Sequence, residues 1–126
     1  GSVCLLGPGK PAQMPEPAIC EHLAAAAFQN NRGIGVDLPS GNGFAMLISE
    51  HCLRTIGPLS GLYDSGYYEE VDFCLRATLR GWRHIAATDC FVGHAGSVTY
   101  GAEKRRLATA NYRRLVQRFP EYPALY

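Results

Sequence analysis

A chain of 126 residues, 47% apolar and 18% charged with a net charge of +1, has room for one hydrophobic core and too little charge imbalance to hold nucleic acid by its field alone. Its apolar runs stop well short of the roughly 18–20 residues a membrane-spanning helix needs. Its five cysteines (Cys4, Cys20, Cys52, Cys74, Cys90) contain no C-x-x-C pair, so neither a zinc ribbon nor a disulfide framework is indicated, and the thiols read as those of a reduced, cytoplasmic protein.

The chain opens on Gly1-Ser2 without a methionine, as tag removal leaves it, and reads as a single domain, residues 1–126, cut from a longer protein. Residues 3–6 are apolar enough for a short strand. Residues 7–17 hold four prolines and two glycines and predict a loop without regular structure. From Ala18 to Gln29 the spacing of Ile19, Leu23, Ala26 and Ala27 predicts a helix, ended by Asn30-Asn31-Arg32-Gly33. A strand is expected over Gly33–Leu38 and a turn at Pro39-Ser40-Gly41-Asn42-Gly43. Phe44-Ala45-Met46-Leu47-Ile48 is apolar throughout and predicts a strand buried on both faces.

A short helix follows over Glu50–Ile56, stopped by Gly57-Pro58. After the Ser60–Gly66 loop comes the clearest helix of the chain, with Val71, Cys74, Leu75, Thr78 and Leu79 on one stripe and Gly81 as its stop. Phe73 lies off that stripe, which predicts cover on a second side. Arg83–Ala87 and Cys90–Val92 read as short strands. A last helix over Ala102–Arg118 carries Ala108, Tyr112, Leu115, Val116 and Phe119 on one stripe, and Lys104, Arg105, Arg106, Arg113, Arg114 and Arg118 on the other face against the single acid Glu103. That basic face suits a solvated surface or contact with anionic phospholipid or a pyrophosphate-bearing acceptor. No aromatic platform accompanies it, which speaks against nucleic acid. Helices alternating with short buried strands place the chain in the α/β class, with one layered sheet.

The chemistry concentrates in Gly66-Tyr67-Tyr68-Glu69-Glu70-Val71-Asp72-Phe73-Cys74-Leu75-Arg76. Three carboxylates within four residues repel one another unless a cation, a proton or a substrate hydroxyl occupies the space between them. At 100° per residue Glu69, Asp72 and Arg76 share one side of the helix, while Glu70 flanks the apolar stripe. Two readings follow. In one, Asp72 pairs with Arg76 at i,i+4 and Glu69 and Glu70 favour the positive end of the helix dipole. In the other the acids stand at the rim of an enclosed site. His94, at the end of a strand and before Ala95-Gly96-Ser97, is either structural or a ligand for Mn²⁺ or another divalent ion beside those carboxylates. His22, His51 and His84 have no comparable neighbours.

The order of these segments, Gly43–Ile48, the helix ending Ile56-Gly57, Gly66–Ala77, Gly81-Trp82-Arg83 and Phe91-Val92-Gly93-His94-Ala95-Gly96-Ser97, resembles the C-terminal half of glycosyltransferase family 2, closest to bacterial enzymes of O-antigen and surface-polysaccharide synthesis. The resemblance covers about Leu38 to Tyr122. It implies a partial GT-A (nucleotide-diphospho-sugar transferase-like) fold, a layer of mixed sheet flanked by helices. It implies a metal-dependent enzyme that takes a nucleotide-sugar donor, a divalent cation (Mn²⁺ or Mg²⁺) and a glycan or lipid-linked acceptor, cytoplasmic or peripheral at the inner membrane. By resemblance Glu70 is the base that deprotonates the acceptor hydroxyl, Glu69 and Asp72 shape the pocket, and His94 helps hold the metal or the diphosphate. Gly41, Asn42 and Gly43 line the acceptor side, with Tyr67 and Trp82 as further substrate contacts.

Two departures stand inside the motif: Tyr68 occupies the place of the usual glycine and Val71 that of the usual asparagine. The Asp-x-Asp metal motif of the family's N-terminal half is absent, since Asp37, Asp64, Asp72 and Asp89 are all isolated. The chain is therefore expected to be the acceptor-side piece of an inverting transferase, inactive alone. The alternative is a non-catalytic carbohydrate-binding or assembly module of the same fold. Either piece would leave a sheet edge uncovered, so a homodimer is expected.

Overall fold

The computed structural model describes residues 5–7, 10–11, 15–64, 66–94 and 102–125, with side chains from residue 15 onward except those of 102–104. The elements run β1 (Leu5–Gly7), β2 (Lys10–Pro11), α1 (Pro17–Asn31), β3 (Gly35–Leu38), α2 (Glu50–Ile56), α3 (Glu69–Thr78), β4 (His84–Ala87) and α4 (Ala102–Arg118), closed by a turn of 3-10 helix at Tyr122–Ala124. The mixture of helices with small sheets is that of a small α/β fragment. In place of the single layered sheet expected, two separate two-stranded sheets form, β1 with β2 and β3 with β4. Contacts divide the chain into two compact units, Gly1–Val36 with Ala87–Val98, and Asp37–Ala86 with Thr99–Tyr126.

The first unit holds the β1–β2 hairpin and α1. Antiparallel pairing of Leu5 with Pro11 and Gly7 with Lys10 corrects the expectation that residues 7–17 lack regular structure. A strand this short tolerates Pro11 because the ladder asks for so few N–H groups. Val3 and Cys4, the start of the expected strand, lie outside the described residues. Pro17 at the first helical position starts α1, where a missing N–H costs nothing. Its C-terminal end is fastened by Asn31 Nδ2 donating to the Thr88 carbonyl (3.2 Å), by the Gly33 amide donating to Asp89 Oδ2 (3.1 Å), and by the Thr88 hydroxyl donating to the Ile34 carbonyl (2.8 Å). The predicted apolar stripe is present but buries nothing; Ile19 is 51% exposed. Cys90–Val92 is not a strand: the Cys90 amide bonds back to Ala87 (3.1 Å) and turns the chain through Thr88-Asp89.

The second unit is built around α3. Val71 and Leu75 pack with Tyr63, Leu115, Phe119 and Tyr122, while Phe73 and Ala77 pack with Cys52 on another side. The two-sided cover inferred from Phe73 is thus observed, and Cys52 and Cys74 behave as small buried hydrophobes. Ser49 caps α2 by accepting from the Cys52 amide (3.2 Å), and Gly57 ends it at φ +85°.

The buried strand expected over Phe44–Ile48 does not form. The Asn42 side chain and carbonyl accept from the amides of Phe44 (3.4 Å) and Ala45 (3.2 Å), bending the chain there. No described strand lies beside it to supply a ladder, and Phe44 is 44% and Leu47 100% exposed. Helix α4 has the predicted limits, but its buried line is Asn111, Leu115 and Phe119, and Tyr112 is partly exposed. Nor is its basic face uniformly solvated: Arg114 and Arg118 turn onto Asp64 and Asp72.

Candidate functional site

The carboxylates of α3 separate into two kinds. Asp72 is 0% exposed. Its Oδ2 accepts from Arg76 Nε (2.7 Å), and its Oδ1 takes both the Tyr63 hydroxyl (3.0 Å) and Arg118 Nη1 (2.8 Å). Arg76 Nη1 and Nη2 donate to the carbonyls of Ile56 and Pro58, each at 2.8 Å. The i,i+4 pair read from the sequence is real, and it joins α3 to the end of α2 and to α4. A buried carboxylate needs such partners, because desolvation of an uncompensated charge is costly. Burial first, and then the Asp72 charge, push the Tyr63 phenol up to about 12, so it remains a donor.

Glu69 and Glu70 are placed differently. Both are half-buried, and among the described residues Oε2 of each is buried with no hydrogen-bond donor. Each orphaned acceptor costs about 1–3 kcal/mol. A methyl group placed on Gly43 would meet the Glu70 side chain at 3.4–3.6 Å, and one on Gly66 would meet Glu69 Oε1 at 3.7 Å. The Gly41 amide donates to Cys74 Sγ (3.3 Å), and a methyl there would lie 2.8 Å from Met46 Sδ. The turn Gly41-Asn42-Gly43 therefore lies against the same helix face as Glu70, with Gly43 next to the Glu70 side chain and Met46 filling the space beside Gly41. Burial raises the Cys74 thiol, the Gly41 amide partly offsets this, and Glu70 adds to the rise.

The segment that delivers the acids is strained. Gly66, Tyr67 and Tyr68 adopt φ of +81°, +76° and +77°, and Tyr68 in that conformation caps α3 without a side-chain bond. Non-glycine residues in this region cost about 1–2 kcal/mol each. The resemblance places a glycine at position 68, the residue type such a backbone favours. Tyr68 is held by packing: its ring lies 5.9 Å from that of Tyr112 and 6.4 Å from that of Tyr122, and burial raises its phenol.

Asn111 is the residue that sequence reasoning missed. It is 0% exposed, and its Nδ2 donates to the carbonyls of Asp64 (3.0 Å), Gly66 (3.1 Å) and Tyr67 (3.2 Å). Arg114 Nη1 donates to Asn111 Oδ1 (3.0 Å), to Asp64 Oδ2 (2.6 Å) and to the Leu62 carbonyl (3.2 Å). The available signal was a lone amide at the centre of an apolar helix face, three residues after Ala108 and four before Leu115.

The other candidates fall elsewhere. Trp82 packs half-buried on the Cys52–Phe73–Ala77 cluster, 5.5 Å from the His51 ring. It helps line a shallow cleft of about 230 Å³ with Asp37, Leu38, Leu75, His84 and Leu125. Asp37 in that cleft accepts two bonds from Arg83 (2.9 and 2.7 Å), which hold its carboxyl below the usual range. His94 belongs to the first unit and is exposed; Ala95-Gly96-Ser97 lies outside the described residues. Among the described residues no group of three or more His, Cys, Asp or Glu side chains converges on a metal position. They offer no ligand set for the divalent ion the resemblance implies. Among the described residues no helix is long and apolar enough to cross a membrane. No protein-family model, curated protein or solved structure matches the chain.

Proposed function

We propose that the chain is the acceptor-side, base-bearing part of an inverting glycosyltransferase with a partial GT-A architecture. The observation that carries this reading is the Glu70 carboxylate, whose Oε2 has no hydrogen-bond donor among the described residues and whose side chain lies against the side-chain-free Gly43. A carboxylate oxygen without a donor among those residues is suited to take its missing bond from an acceptor hydroxyl that enters beside it. In the proposed step Glu70 removes the hydroxyl proton as the oxygen attacks the anomeric carbon of a nucleotide sugar. The bond to the nucleoside diphosphate breaks on the opposite face, and the configuration inverts. Gly41-Asn42-Gly43 gives the acceptor ring room, and Glu69 orients a second hydroxyl. Asp72, saturated by Tyr63, Arg76 and Arg118, fixes the helix that carries both. Donor diphosphate and divalent ion are held by parts of the full-length protein outside this chain.

The test is sugar transfer by the full-length protein over a panel of nucleotide sugars with Mn²⁺, wild type beside Glu70→Gln. The variant is expected to bind donor normally and lose about a hundredfold or more in turnover. Near-normal turnover would remove Glu70 from the role of base. A protein that binds saccharide but transfers none favours the binding-module reading.

A further inference from the structure

We infer that Asn111 is the positioning residue of the Glu69–Glu70 pair, acting through the left-handed run Gly66-Tyr67-Tyr68; its bearing on catalysis rests on the reading of Glu70 as base. Three successive residues with positive φ, two of them tyrosines, are not a conformation the segment holds by its own preferences. Something outside it must over-determine the backbone. Asn111 does so from α4, since its amide group reaches the Asp64, Gly66 and Tyr67 carbonyls at 3.0–3.2 Å. A primary amide has two N–H groups, so these three acceptors share them and use all its donor capacity. Arg114 donating to Oδ1 fixes which way the amide faces. Tyr68, the last residue of the run, is also the N-cap of α3, and Glu69 and Glu70 are the next two residues. The run thus sets where α3 begins, and with it which way both carboxylates point.

A purely structural asparagine would stabilise α3 and α4 alike, whereas a clamp acts locally. Residue-resolved amide exchange of the chain separates the two. Asn111→Ala is expected to speed exchange of the Tyr67–Val71 amides about tenfold or more, while the Leu75–Ala77 and Leu115–Phe119 amides change less than about threefold. A uniform acceleration across α3 and α4 would overturn the inference. Should Asn111→Ala fail to fold, Asn111→Asp keeps the shape without the donors and is expected to give the same local pattern.

In the full-length protein Asn111→Ala is expected to lower kcat about tenfold with the donor KM within about twofold, the mark of misplaced chemistry rather than lost binding. Adding Tyr68→Gly, which relieves one of the two left-handed tyrosines at the residue next to Glu69, is expected to recover part of kcat, about threefold or more, while the melting temperature stays low. A double variant as slow as the single one refutes the positioning role, even with Glu70 established as base. A local exchange pattern in a protein that transfers no sugar supports the clamp and sinks the transferase reading instead.

Discussion

Arg118, in the last turn of α4, sets Nη1 2.8 Å from Oδ1 of Asp72 on α3, so the helix judged from sequence to present a basic surface ties its last cation, still partly exposed, to a buried carboxylate. The Tyr63 hydroxyl reaches the same oxygen, and Arg76 holds the other. One buried carboxylate thereby ties α3 to α4, to the loop before α3, and through Arg76 to the end of α2. The arrangement saturates Asp72 with donors, in contrast to Oε2 of Glu69 and of Glu70, which have none among the described residues.

Removing that charge should cost more than removing either arginine. Asp72→Asn strands two guanidinium groups around a neutral amide and is expected to destabilise the chain by about 2–4 kcal/mol, the range for a broken buried pair eased by the partial exposure of Arg118. Arg118→Met, which leaves Asp72 with Tyr63 and Arg76, is expected to cost about 1 kcal/mol. Urea unfolding midpoints measure both. An Asp72→Asn midpoint equal to wild type would show that the cluster holds nothing together.

Tyr63 gives the cluster an alkaline signature. Its phenol ionises at about 12 in the folded chain against an ordinary value of 10.0. Between these pH values the unfolded chain has lost a proton that the folded chain keeps, so stability falls as pH rises through that window and is intact below it. Tyr63→Phe is expected to cost about 1–2 kcal/mol at neutral pH through the lost bond to Asp72. The gap to wild type should then shrink from pH 10 upward. A gap independent of pH would mean that neither burial nor Asp72 raises this phenol.

Local pattern carried the helices well. The Val71–Cys74–Leu75–Thr78–Leu79 stripe and Gly81, at φ +82°, gave α3, although Thr78 and Leu79 at its end are exposed; the basic, apolar-striped run gave α4 with its limits; and Asp72–Arg76 was legible from i,i+4 spacing alone. The errors lie where partners distant in sequence decide the outcome. Phe44–Ile48 has the composition of a buried strand, yet a strand exists only beside another, and none of the described ones adjoins it. The pairing of Arg114 and Arg118 depends on Asp64 and Asp72 being within reach, which no helical wheel contains. Asn111 is polar on an apolar face, and only the strained backbone it meets gives it meaning.

Gly43 tests the space beside Glu70. A methyl group at that position meets Cβ, Cγ and Cδ of Glu70 at 3.4, 3.4 and 3.6 Å, ordinary van der Waals contact that occupies the space beside the side chain without disrupting the fold. Gly43→Ala is therefore expected to change stability by less than about 1 kcal/mol. Sugar transfer by the full-length protein should nevertheless fall about tenfold or more, because an acceptor seated against this turn would be pushed out of line with Glu70. Unchanged transfer would place the acceptor away from this turn.

The cysteines give the most direct check on the packing around α3. Cys90 is exposed, whereas Cys52 and Cys74 are buried, with thiols that burial pushes up from their ordinary value. Alkylation proceeds through the thiolate and requires access, so both factors protect the buried pair. In native chain at pH 8, Cys90 is expected to take up iodoacetamide at least about a hundredfold faster than Cys52 or Cys74, read by peptide mass spectrometry. In denaturant the rates should converge. Asp72→Asn, by loosening α3, is expected to raise the native rate at Cys74 toward that of Cys90. If Cys74 is labelled as fast as Cys90 in the native wild-type chain, α3 is not held between its two clusters, and the site it carries does not exist in solution.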